Sequence, residues 1–272
     1  NLDTYNLFEI SRGKQETVNY LARNMIKLLK SKSKLIHEPT PEILQQMQVR
    51  KRQATALTLK DNIKVQWHDP PKKLKADFSI ADVIFICSPS PEVSYYVRKL
   101  CKHPRVYVRS TIKPEIVKDT EIAVYPEFLT ESRWEKDALN PLCFIFGGSE
   151  EQLKALKEFS KLTFNNEYLT DNKTAALMKI VTNAYTSSKI MFFNHVYDVC
   201  KKLEMNYEEL RKCLTTDPRI HENGTFVPGH DGQFGFGGKC FPKDTQYLLD
   251  LLDNSILKNI IERNNELRIK QK

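Results

Sequence analysis

Ala81-Asp82-Val83-Ile84-Phe85-Ile86-Cys87-Ser88-Pro89-Ser90-Pro91 decides the fold. Val83 to Cys87 are five apolar residues in a row. That is far short of the ~18 needed for a membrane span and suits a strand buried on both faces. The Ser-Pro-Ser-Pro run ends it. A strand of this kind needs helices on both sides. Val93–Leu100 has helical spacing, and Val106–Val108 reads as the next strand, entering Ser110-Thr111. Glu121–Tyr125 is a strand running into Pro126. Cys143–Phe146 is another, closed by Gly147-Gly148, and residues 152–162 form a helix. Upstream, Tyr5–Ile10 and residues 62–67 read as strands, and Lys34–His37 is a further candidate. Strands that alternate with helices predict an α/β, doubly wound parallel sheet over residues 1–170.

The texture changes after Leu169. Asp171 or Asn172 can cap a long helix that runs to about Leu203 without Gly or Pro. Asn206 and Glu209 have capping-box spacing for the next helix. Residues 215–239 form a loop rich in Gly, Pro and Asn, and Pro242 lies at the start of a final helical region. Residues 171–272 are thus expected to form an all-helical domain. At 272 residues the chain has room for about two domains of ~150 residues each.

Composition narrows the function classes. The six cysteines (87, 101, 143, 200, 213 and 240) lie far apart without a C-x-x-C, which excludes a zinc ribbon and a disulfide scaffold. No metal site is expected. A reducing, cytoplasmic setting is, since there is neither a signal-peptide pattern nor a span. The chain begins at Asn1 rather than Met and reads as trimmed. Of the net charge of +8, +7 lies in residues 1–78, where 15 Lys/Arg face 8 Asp/Glu. Lys27, Lys30, Lys32 and Lys34 flank an amphipathic stretch, so a solvated helix face explains the charge better than nucleic acid does, and no nucleic-acid motif accompanies it.

Glycine is the most informative count. Six of the nine glycines fall between Gly224 and Gly238, and only Gly13 precedes Gly147. The first half therefore holds no G-x-G-x-x-G phosphate loop. The late cluster, Phe234-Gly235-Phe236-Gly237-Gly238-Lys239-Cys240-Phe241-Pro242-Lys243-Asp244, is where chemistry is expected. Its glycines bring backbone amides close to a ligand. Cys240 follows at a helix entrance between Lys239 and Lys243, surroundings that favour thiolate. Lys179 and Asn183 are four apart on one face of the long helix and together suit an oxyanion or sugar hydroxyls. Pro126–Glu131 and Ser110–Pro114 leave strand ends, where open α/β sheets place ligands. Asp217-Pro218-Arg219-Ile220 lies in the long loop.

In this order, these segments resemble the UDP-glucose 6-dehydrogenase family of nucleotide-sugar dehydrogenases. The matching stretches are ADVIFICSPSP (81–91), STIKP (110–114), PEFLTE (126–131), Lys179–Asn183, DPRI (217–220) and GFGGKCFPKD (235–244). The resemblance covers residues 80–272 well and implies a Rossmann-like domain followed by a helical central domain. It also implies NAD-dependent oxidation of a sugar C6 alcohol to a carboxylate by two hydride transfers, through a thiohemiacetal and then a thioester on Cys240. Lys179 and Asn183 would stabilise the oxyanion. Asp244 would orient the Lys179 amine or a water, and Glu127 would serve hydrolysis. Thr111 and Glu131 would position water and line the cofactor pocket, with Ser88, Pro89 and Lys243 also at the cofactor. Phe128, Leu129, Phe234, Gly235 and Gly237 would hold the nucleotide sugar, and Arg219 would reach it across a homodimer built on residues 172–203. The family usually has Glu where Ala176 and His195 stand.

The resemblance weakens at both ends. In one register Tyr5–Ile10 is the first strand and Glu38 is the acid on the cofactor ribose. In the other, Tyr5–Ile10 is the second strand and Glu9 is that acid. The second leaves the centre of a 3-2-1-4-5-6 sheet empty, so packing favours the first. The family also continues into a C-terminal nucleotide-binding domain, which this chain does not contain. Two other readings remain: a cofactor-poor homologue that binds a sugar nucleotide or assembles without turnover, and a dehydrogenase of another nucleotide sugar such as GDP-mannose.

Overall fold

The computed structural model describes residues 6–10, 55, 58–60, 64–68, 76–88, 90–129, 134–141, 143–160, 166–251 and 255–269. The chain divides into two units, Asn1–Leu177 and Met178–Lys272.

The first unit carries a seven-stranded sheet. Its strands are β1 (Asn6–Ile10), β2 (Lys64–His68), β3 (Val83–Ile86), β4 (Val106–Val108), β5 (Ala123–Val124), β6 (Phe144–Gly147) and β7 (Glu167–Thr170), in the order β2-β1-β3-β4-β5-β6-β7. β3, β4 and β5 are buried throughout. Their residues alternate between two apolar clusters. Ile84, Ile86, Val106, Val108 and Val124 face one side with helix α1 (Ser90–Leu100). Val83, Phe85, Tyr107 and Ala123 face the other with α4 (Glu150–Phe159), after the short helices α2 (Pro114–Val117) and α3 (Trp134–Leu139). This is why the 83–87 run is apolar without alternation: both faces are covered. One pair departs from the parallel expectation. β5 and β6 run antiparallel, a pairing that needs no full crossover helix between them.

The N-terminal strands carry neighbour relations of both registers. A strand at Lys34–His37 was expected beside β1, yet β1 pairs directly with β2 on one edge and with β3 on the other. Residues 34–37 and Glu38 lie outside the described residues. Adjacency of β1 and β2 is the neighbour relation of the second register. Direct β1–β3 pairing, with Glu9 opposite Phe85, is the neighbour relation of the first register.

Helix α5 (Asn172–Lys202) starts in the first unit, where Ala175 and Ala176 pack into the sheet's core. That packing puts the division between the units about two turns beyond the expected change at residue 171. Asp171 caps the helix. Its carboxylate accepts from the Lys173 amide (2.9 Å), the Thr174 amide (3.0 Å) and the Thr174 hydroxyl (2.5 Å). Asn172 instead donates to the carbonyls of Val117, Thr120 and Ile122, tying the helix start to the sheet. The Thr174 hydroxyl and amide hold the Asp171 carboxyl below its ordinary range. The cap's contribution is therefore present above the unfolded carboxyl value and is lost as pH falls through the lowered folded one. Asp171→Ala should cost about 1 kcal/mol at neutral pH, measured by urea unfolding, and less as the solution is acidified.

The second unit holds the rest of α5, then α6 (Tyr207–Leu214), α7 (Cys240–Leu251) and α8 (Ser255–Ile269). Asn206 caps α6 by accepting the Glu209 amide at 3.2 Å. The final helical region is two helices rather than one. Among the described residues no helix is long and apolar enough to cross a membrane, and no His/Cys/Asp/Glu group could hold a metal ion.

Candidate active site

In the first unit, Ser88, Ser110, Thr111 and Glu127 follow the carboxyl ends of β3, β4 and β5. These strands are mutually parallel, so the residues share one sheet edge. Ser110 donates to the Ser88 carbonyl at 2.6 Å, which locks two adjacent strand exits together. The Ser88 hydroxyl itself is buried with no partner among the described residues. Thr111 is buried, and Phe128 and Leu129 are half-buried. Pro89 and Glu131 lie outside the described residues.

Glu127 is not free to roam as a base. It is 5% exposed, and its Oε1 accepts from Arg109 at 2.7 Å (Nη2) and 3.0 Å (Nε), with the Thr55 hydroxyl at 3.3 Å. The guanidinium lies 3.8 Å from the Tyr125 ring centroid. Burial works against the Arg109 charge, but Glu127 more than offsets it, and Arg109 is held above its ordinary range. Glu127 Oε2, also buried, has no partner among the described residues. One oxygen is thus clamped and the other is left as an acceptor. The sequence reading missed Arg109 and Thr55. The available signal was a cation directly ahead of Ser110, closing an otherwise apolar strand.

In the second unit the structure joins three of the expected residues. Asn183 donates to Asp244 Oδ2 at 2.6 Å, and the Lys243 ammonium pairs with Asp244 Oδ1. Asp244 is 1% exposed. Lys243, expected at the cofactor, therefore partners the carboxylate that was expected to orient Lys179. Cys240 is the first residue of α7, half-buried and free, one turn ahead of Asp244. Below this level Thr245 donates to Ser187 (2.9 Å) and Ser187 to the Asn183 carbonyl (2.9 Å), so a buried polar ladder sets α7 against α5. One amide N–H of Asn183 goes to Asp244, and its carboxamide carries a second.

The glycine loop also departs from expectation. The Gly235 amide donates to Asn194 Oδ1 at 2.9 Å and the Phe236 amide to Asn264 Oδ1 at 2.7 Å. Those two amides are used inside the protein and are not offered to a ligand. Phe234 packs against Tyr197, with ring centroids 5.3 Å apart. Arg219 is bound to its neighbour Asp217 through Nε at 2.9 and 3.0 Å and is 87% exposed on its side chain.

A dinucleotide asks for two things here. At the sheet edge the unpaired Ser88 hydroxyl is a candidate partner. The pyrophosphate turn is another matter. β1 leads into Ser11-Arg12-Gly13-Lys14, and no further glycine occurs before Gly147. Residues 11–14 lie outside the described residues.

Residues 173–266 match the model of the UDP-glucose/GDP-mannose dehydrogenase family, central domain. A UDP-glucose 6-dehydrogenase of Rickettsia felis is 29% identical over 206 residues, covering 68% of this chain and 44% of the relative. One from Campylobacter jejuni is 33% identical over 159 residues, 56% of this chain and 39% of the relative. The chain spans less than half the length of these curated relatives. Among solved structures, a UDP-glucose dehydrogenase from Pyrobaculum islandicum superposes with a TM-score of 0.65 at 19% identity, covering 97% of this chain and 68% of that one. A Mycobacterium tuberculosis 3-hydroxyisobutyrate dehydrogenase gives 0.64 at 11% identity, over 97% of this chain and 94% of that one. These two show the fold.

Proposed function

Residues 173–266 belong to the central domain of the UDP-glucose/GDP-mannose dehydrogenase family, and on that premise we propose that the chain carries the thiol and substrate machinery of a nucleotide-sugar 6-dehydrogenase, acting on UDP-glucose. The observation that carries this reading is the Asn183–Asp244–Lys243 cluster one helical turn from Cys240. Cys240 is the nucleophile. Its sulfur adds to the C6 aldehyde, forming an S–C bond, while the carbonyl oxygen takes up negative charge. Lys179 and the second N–H of Asn183 receive that oxyanion. Asp244 fixes the Asn183 amide and neutralises Lys243. With NAD as the hydride acceptor, the thiohemiacetal would be oxidised to a thioester on Cys240, which water would cleave to the carboxylate and the free thiol. In the first unit, Glu127 Oε2 is left as an acceptor for a water at the sheet edge.

NAD is the oxidant this reading calls for. The second reading is a homologue that binds a sugar nucleotide without turnover. The deciding measurement is NADH formation with UDP-glucose, beside an NAD titration. Turnover supports the dehydrogenase. If NAD fails to bind at millimolar levels, turnover by this chain is ruled out. GDP-mannose in the same assay tests the third reading.

A homodimer through α5 belongs to the same proposal. Val181, Tyr185 (67% exposed), Phe192 (61%) and Val199 lie at intervals of four and seven along one helix and are left in solvent. Such a stripe favours a second copy of itself. Tyr185→Lys with Phe192→Glu should convert a dimer to a monomer by light scattering. A monomeric parent chain would remove both the dimer and the cross-subunit role of Arg219.

A further inference from the structure

We infer that Asn194, Asn264 and Arg268 are positioning residues that hold the turn ahead of Cys240 in place, so that the last helix, α8, is part of the thiol site. The inference deepens the reading of Cys240 as nucleophile, though its test needs neither substrate nor cofactor. The two carboxamides come from different helices, α5 and α8, and take two consecutive amides, those of Gly235 and Phe236. Arg268, one turn beyond Asn264, donates to the Gly235 carbonyl at 2.9 Å. Its other terminal nitrogen bonds Asp231 and Gln233, both at 2.7 Å. The Gly235–Phe236 peptide unit is thereby held at its carbonyl and its N–H, and the preceding unit at its N–H, five residues from the sulfur. Asn194 and Asn264 are themselves buried, so neither bond competes with bulk water.

This arrangement also changes what the glycines are for. Gly235 has φ +74°, and a Cβ there would collide with Asn264 Oδ1. At Gly237 a Cβ would lie 2.8–2.9 Å from the Arg268 guanidinium. Gly235 is glycine because its positive φ and the approach of Asn264 leave no room for a Cβ, which requires no ligand.

The test is the alkylation rate of each cysteine by iodoacetamide, read peptide by peptide by mass spectrometry. In Asn264→Ala the turn loses an anchor, and Cys240 should react about fivefold faster. Exposed Cys213 and buried Cys200 serve as controls and should keep their rates. Asn264→Asp retains the acceptor and should restore the parent rate, which a purely packing role would not require. If Asn264→Ala also exposes Cys200, the helix bundle has loosened, and Arg268→Gln decides instead. That side chain sits at the end of α8, so its loss should accelerate Cys240 alone. An unchanged Cys240 rate in Arg268→Gln, or in Asn264→Ala with Cys200 protected, overturns the inference.

Discussion

Cys240→Ser should abolish net formation of the sugar carboxylate, by on the order of a thousandfold or more, with the fold intact. The reason is chemical. A serine hydroxyl is a weak nucleophile at neutral pH, whereas the thiol of Cys240, the first residue of α7, is intrinsically far more nucleophilic. Without the thiol an aldehyde formed in the first oxidation has nothing to hold it. The variant should therefore release aldehyde or stop after one NADH per sugar. Counting NADH against carboxylate by chromatography separates the cases. Full carboxylate production by the serine variant removes Cys240 from the mechanism.

Arg109→Met should be the most destabilising single change in the first unit, at about 3–5 kcal/mol. It strands Glu127, 5% exposed and clamped by that guanidinium at 2.7 Å. The carboxylate would then be buried with only the Thr55 hydroxyl beside it. Arg109→Met combined with Glu127→Met removes both charges and should recover much of the loss, because the cost lies in the orphaned partner. Urea unfolding of the parent, the two single variants and the double variant measures the coupling. If the two losses simply add, the ion pair is not what holds this sheet edge.

Much of the sheet was legible because its periodicity is local. Val83–Cys87 is apolar at every position, and the structure sends alternate members to opposite clusters. The capping of α5 and α6 was legible for a similar reason, since caps form within three residues of the helix start. The N-terminal register was not legible. It turns on which strand neighbours β1, and β1 is separated in sequence from both partners by more than fifty residues.

The candidate site divides in the same way. The residue types and spacing of Cys240, Lys179, Asn183, Asp244 and Glu127 were determined by the sequence itself, since each lies in a short motif. Which atoms meet was decided only by tertiary structure. Lys243 faces Asp244, Arg109 claims one oxygen of Glu127, and Asn194, Asn264 and Arg268 hold the turn ahead of Cys240. The physical reason is that a hydrogen bond depends on separation in space, and most of these partners are brought together by helix packing across 18 to 61 residues of chain. Glycine count shows the division most plainly. The sequence determines that the glycines crowd residues 224–238, and the fold decides that Gly235 makes room for a side chain of α8.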